Sequence, residues 1–145
     1  MQETDAHLEE TRLWLRYAQG DLRAAEAAVR QPEFEPRHAC FQAQQAAEKA
    51  LKAVLVFLRR DVPRIHDLDA LIDALPQDWP VVQEYPDLAN LTDWAVNARY
   101  PLAGQEPTHE DAEEAVRQAR AVLDSVQRDL IAHGFGNPPQ QDEVR

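Results

Sequence analysis

Residues 45–52, Gln-Ala-Ala-Glu-Lys-Ala-Leu-Lys, put an amide, a carboxylate and two ammonium groups within about two helical turns. At about 100° per residue, with Gln45 at zero, Glu48 falls at roughly −60°, Lys52 at roughly −20°, Lys49 at roughly +40° and Phe41 at roughly −40°. Cys40, Ala43, Ala47, Ala50, Leu51, Val54, Phe57 and Leu58 cluster around the opposite side. The polar residues therefore form one stripe. It has two readings. An amphipathic helix needs a wet face, and Glu48 followed by Lys52 is an i,i+4 pair in the favourable orientation. Alternatively the stripe binds a small anion or a nucleotide. It holds both lysines of the chain, in a sequence where 13 of 15 basic residues are Arg.

Other chemistry is hard to find. Neither G-x-G-x-x-G nor a P-loop occurs among only four glycines, and His-Glu-x-x-His is absent. His7, His38, His66, His109 and His133 are too dispersed to suggest a metal site, and the single Cys40 supports neither a disulfide nor a paired-thiolate site. Set among alanines on a helix, Cys40 reads as a small core residue. No metal and no cofactor are expected.

The balance of 26 Asp+Glu against 15 Lys+Arg gives a formal net charge of −11 over 145 residues. That field repels a phosphate backbone at long range, which disfavours extended nucleic-acid binding. The first residues, MQETDAHLEETR, are too polar for a signal peptide, and the longest apolar run, AVLVFL, is far too short to span a bilayer. A cytoplasmic protein is the expectation.

The elements that must position the stripe are helical. Leu15, Ala18, Leu22, Ala25 and Val29 step by threes and fours through a helix over 5–30. Pro32 and Pro36 break it, and a second helix runs over 37–60. DVPRIH is a connector, followed by a short helix with Asp67 as its N-cap. Residues 76–86, with three prolines, read as an irregular link. Pro86 then opens a helix that carries Leu88, Leu91, Ala95 and Ala98 along one side. Thr108 to Asp111 resembles a capping box at the start of the last helix, whose seam is Ala112, Ala115, Ala119, Val122 and Val126. Gly134 closes it. The expected fold is all-α, an up-and-down bundle of four main helices with one or two short extra ones. Residues 1–133 form the bundle and 134–145 a mobile tail. The alanine-rich seams of the first and last helices could serve the bundle or a dimer.

FQAQQAAEKALKAVLVFLRRDVPRIHDLDALIDAL, with ARYP at 98–101 downstream, resembles the HEPN family of bacterial and archaeal domains, from the first helix to about residue 130. Its most specific elements are Gln-Gln-Ala-Ala-Glu-Lys-Ala-Leu-Lys and His-Asp-Leu. The resemblance implies an all-α bundle, frequently a homodimer, and often a partner of a minimal nucleotidyltransferase in pairs that behave as toxin and antitoxin. Some members are proposed to bind nucleotides. The positions that match the family motif are Gln45, Glu48, Lys49, Lys52, His66, Asp67, Arg99 and Tyr100, which become the nucleotide- or partner-binding candidates. Of these, Lys49, Lys52 and Arg99 are the expected contacts to phosphate or to partner carboxylates.

Other members of the family are metal-independent ribonucleases that carry Arg, four to six residues, then His. There, His would move a proton on the ribose hydroxyl or leaving oxygen while Arg stabilises the phosphorane. Arg128 and His133 have that spacing, as do Arg59 and Arg60 before His66. With three allowed offsets, chance alone gives about 1.3 such matches in a chain of this composition. Five residues along a helix also rotate by about 140°, so Arg128 and His133 should diverge. The primary expectation is a binding module without catalytic residues, the runner-up an endoribonuclease using Arg128 and His133, and the third a dimerisation module without ligand. RNA is the less favoured partner.

Overall fold

The computed structural model of the protein describes residues 2–85, 88, 90–94 and 106–136, with side chains from Ala6 onward. The described residues contain no strand. Their helices are α1 (Gln2–Arg30), α2 (Pro36–Phe57), α3 (Leu68–Asp73), α4 (Pro80–Glu84), α5 (residues 90–94) and α6 (His109–Ala132). The expected all-α bundle is what forms. Of the fourth long helix expected near 86–98, residues 90–94 are described as helical, and Leu88 and Leu91 are buried.

The seam Leu15, Ala18, Leu22 and Ala25 is buried as the periodicity requires, and so is Ala112, Ala115, Ala119, Val122 and Val126 on α6. Between α1 and α6 lies α2, which packs against both and against α3. Its alanines explain the central position. Ala39, Ala43, Ala46, Ala47, Ala50 and Ala53 share one arc of about 120° around the helix and all are buried, so neighbours can approach closely on that side.

Caps fix the ends. Thr108 Oγ1 accepts from Asp111 N at 3.1 Å, and Asp111 Oδ2 accepts from Thr108 N at 2.9 Å, the anticipated capping box. Asp67 Oδ1 accepts from Asp69 N and Ala70 N at the start of α3. α6 ends in a Schellman turn: Phe135 N donates to Leu130 O and Gly134 N to Ile131 O, with Gly134 at φ 97°. α2 ends in the same turn, with Arg60 N on Leu55 O and Arg59 N on Val56 O. There the left-handed position, φ 60°, is held by Arg59.

Two expectations need correction. The link over 76–86 is not irregular throughout, since α4 forms inside it. Pro80 sits at its first turn, and the buried Asp129 carboxylate accepts Val81 N from across the interface with α6, at 3.0 Å. A tertiary contact stabilises a helix that local sequence would not. The packed chain also reaches past residue 133. Phe135 is buried, its ring edge-on to Phe57 at 5.8 Å.

Candidate functional site

The stripe on α2 is wet only along one edge. Glu48 and Lys52 are 4% and 6% exposed, and Gln44, one residue outside the stripe, is fully buried. The face nearest solvent runs instead through His38, Gln42, Gln45 and Lys49. A wheel drawn for one helix assumes a dry side and a wet side. A helix with neighbours on all sides has almost no wet side, and its polar groups must then find partners inside.

They do. Lys52 Nζ donates to Glu48 Oε2 at 2.8 Å, and Gln44 Nε2 donates to Glu48 Oε1 at 3.1 Å. His66 Nδ1 lies 2.9 Å from the same Oε1. Gln44 Nε2 also reaches the backbone carbonyl of His66 at 3.0 Å, and Gln45 Nε2 donates to Gln44 Oε1 at 2.8 Å. The Lys52 ammonium stands 5.9 Å from the centre of the half-buried Trp14 ring on α1, within cation–π range. Lys49 Nζ pairs with Asp21 Oδ2 at 2.6 Å, which ties α2 to α1.

Burial pushes the Glu48 carboxyl up, yet hydrogen bonds from Lys52, His66 and Gln44 and the Lys52 charge together hold it below its ordinary value. Glu48 is therefore an ion at neutral pH. An ionised carboxylate only accepts, so His66 must present Nδ1–H to it, and Nε2 is left as the second ring nitrogen on a side chain that is 56% exposed. The network thus holds an imidazole at the surface in one orientation, with the half-exposed Gln45 joined to it through Gln44.

The structure joins Gln45, Glu48, Lys52 and His66 through Gln44 in one network, while Lys49 turns to Asp21 on α1. Asp67 is spent on capping α3. Arg99 and Tyr100 lie outside the described residues. Gln44, Trp14 and Asp21 were not singled out from sequence. Gln44 had a signal, a lone amide on the arc that leads to Leu51. Trp14 and Asp21 had none, because their partners are 38 and 28 positions away.

The alternative pair does not converge. Arg128 is exposed and lies 3.7 Å from Glu84, whereas the His133 ring stacks on Trp79 at 4.2 Å with Nδ1 on the Asp129 carbonyl at 2.8 Å. Arg59 and Arg60 follow the end of α2, and His66 joins α2 at Glu48, about 16 Å back along the helix axis.

Fold and site together define a small helical bundle organised around one buried polar helix. A family model described as HEPN domain matches residues 11–129, and the chain belongs to that family. Among solved structures, TT1696 from Thermus thermophilus is 32% identical. The match covers 83% of this chain and 98% of that one, with a TM-score of 0.69. ST0689, described as an archaeal HEPN homologue, is 28% identical over 83% of this chain and 97% of that one, with a TM-score of 0.61. No curated protein gives a significant match.

Proposed function

We propose that this HEPN domain is a non-catalytic module that binds a nucleotide at the α1–α2–linker junction and works with a nucleotidyltransferase partner. One observation carries the reading. A buried Glu48–Lys52 pair, with Gln44 completing it, holds the His66 ring at the surface. Buried ion pairs contribute little net stability compared with apolar residues of the same volume, so packing alone gives no reason for this one. What the pair does supply is a fixed imidazole on a helix whose outer face carries the Gln45 amide and the Lys49 ammonium, the latter paired with Asp21. That set suits a heteroaromatic base, which offers a π-face and hydrogen-bonding edges, attached to an anion. The exposed carboxylates of a chain with net charge −11 would meet the partner through a more basic surface.

The test is a thermal-shift titration with ATP and other nucleotides, without added metal. A ligand at 100 times its Kd stabilises by about 2.7 kcal/mol. His66→Ala and Lys49→Ala should each reduce the shift, and they leave Lys52, which is buried, in place. Shifts that are equal in wild type and both variants would refute this site.

A further inference from the structure

From the Arg59 backbone we infer a second recognition element, a polyphosphate-binding track formed by Arg59, Arg64 and Arg60 on the linker between α2 and α3. It rests on the nucleotide reading above and names what that site would hold at its far end. The motivating contrast is between the two Schellman turns. Both place a residue in the left-handed region, where a side chain is disfavoured and glycine is the usual occupant. α6 uses Gly134 there, whereas α2 uses Arg59, the one non-glycine residue with positive φ among those described. A Cβ at such a position is a local liability, and liabilities of this kind collect at functional positions.

The surroundings are consistent with a role for the guanidinium. Residues 59–66, RRDVPRIH, hold three arginines against one carboxylate, Asp61, in a chain where acids outnumber bases 26 to 15. Val62 and Ile65 are half-buried and pack on the core, which pins the linker, while Arg64 between them is exposed. Arg60 reaches back to the Ala74 carbonyl at 2.8 Å and fixes the track against the end of α3. No carboxylate pairs with Arg60 or Arg64 among the described residues.

Geometry and charge select the ligand class. The linker leaves the end of α2 at Arg59 and returns to it at Glu48 through His66, about 16 Å away along the helix axis. Such a track is too long for one phosphate and fits an extended di- or triphosphate with a nucleoside at the His66 end. A long nucleic acid is disfavoured because the whole chain repels it. A short, densely charged group feels mainly the local arginines, which suit phosphate oxygens through their paired N–H donors. The group could belong to a nucleotide or to inorganic polyphosphate.

The experiment titrates the full chain with sodium tripolyphosphate, ATP and adenosine by calorimetry, at low and high salt. Tripolyphosphate should bind wild type and weaken as salt rises. Arg64→Gln and Arg59→Gly should each lose about tenfold in affinity, and Arg59→Gly should at the same time melt at a higher temperature because glycine suits the turn. A more stable Arg59→Gly protein that binds tripolyphosphate as wild type does would overturn the inference, as would a wild type that does not bind it. If ATP binds and the arginine variants bind it equally well, the track fails and the nucleotide reading stands. If tripolyphosphate binding depends on the arginines but ATP gains nothing over it and His66→Ala is silent, the track stands and the nucleotide reading fails.

Discussion

Replacing Lys52 by methionine should be among the most damaging conservative changes in this chain. Methionine approximates the volume of the lysine stem, so the apolar contacts largely survive and the missing charge dominates the effect. Glu48 would stay buried with its remaining bonds from Gln44 and His66. Removing one member of a buried pair costs about 3–5 kcal/mol because the other charge is left uncompensated. At about 2.1 cal/mol/K per residue of unfolding entropy, 145 residues give about 0.3 kcal/mol/K, so Tm should fall by about 10–16 °C. The assay is urea unfolding at about pH 8. Glu48 has a folded-state pKa below its ordinary 4.5, so its contribution is present above that value and disappears as pH falls through the folded value. In Lys52→Met that lowering influence is removed, and the stability gap from wild type should close once Glu48 is protonated in both proteins. The double variant Glu48→Gln with Lys52→Met should return to within about 1 kcal/mol of wild type, since no charge of the pair then remains buried. A loss below about 1 kcal/mol for Lys52→Met at pH 8 would mean that the pair is solvated, and the account of the site would go with it.

Three further changes probe other parts of the fold. Burial raises the Asp129 carboxyl above its ordinary value despite the hydrogen bond from Val81, so folding favours the protonated form and that contribution is lost as pH rises through the raised pKa. Asp129→Asn, which keeps an acceptor for Val81 N, should therefore melt higher than wild type at neutral pH and no higher below the ordinary carboxylate range. Burial, helped by the Asp111 charge, pushes the Cys40 thiol to about 12, so a thiol reagent should label it only at the rate of unfolding; fast labelling of native protein would contradict its place in the core. Phe135→Ala should cost about 3 kcal/mol in chemical denaturation, and a neutral result would return the domain boundary to residue 133.

The bundle was legible in the sequence because its long helices follow local rules. The 3-4 seams of α1 and α6, the Thr108 box, the Asp67 cap and the Gly134 terminator are all contiguous signals, each readable from residues within about four positions of one another. What was not legible depends on distance along the chain. α4 needs Asp129, 48 positions away, to receive the N–H of Val81. The burial of Glu48 and Lys52 needs α1 on one side and the His66 linker on another, and no wheel of α2 contains either. His66 and Glu48 could be grouped from family resemblance, but only the structure shows the carboxylate turning the imidazole.

Most departures from local rules fall in one part of the molecule, the buried and unpartnered Nδ1 of His7 on α1 being an exception. A lysine and a glutamate in the core, a fully buried glutamine and an arginine in a glycine's conformation all belong to α2 or to the linker that leaves it. Elsewhere among the described residues one charged side chain is buried, Asp129, and its task is structural: it receives the N–H at the start of α4. Agreement between local preference and global fold is what makes a sequence fold readily, and folding alone would remove each of the exceptions on α2 and its linker by substituting an apolar residue or a glycine. Their confinement to one helix and its return segment points to a single cause acting on both. A ligand along that segment, as proposed above, with its base at His66 and its charge at Arg59 and Arg64, would account for the buried network and the left-handed arginine together. Separate explanations would leave their adjacency a coincidence. The shared cause also predicts coupling. His66→Ala and Arg64→Gln, measured singly and together on ATP binding, should deviate from additivity if one ligand bridges both ends, whereas independent roles give free-energy changes that simply add.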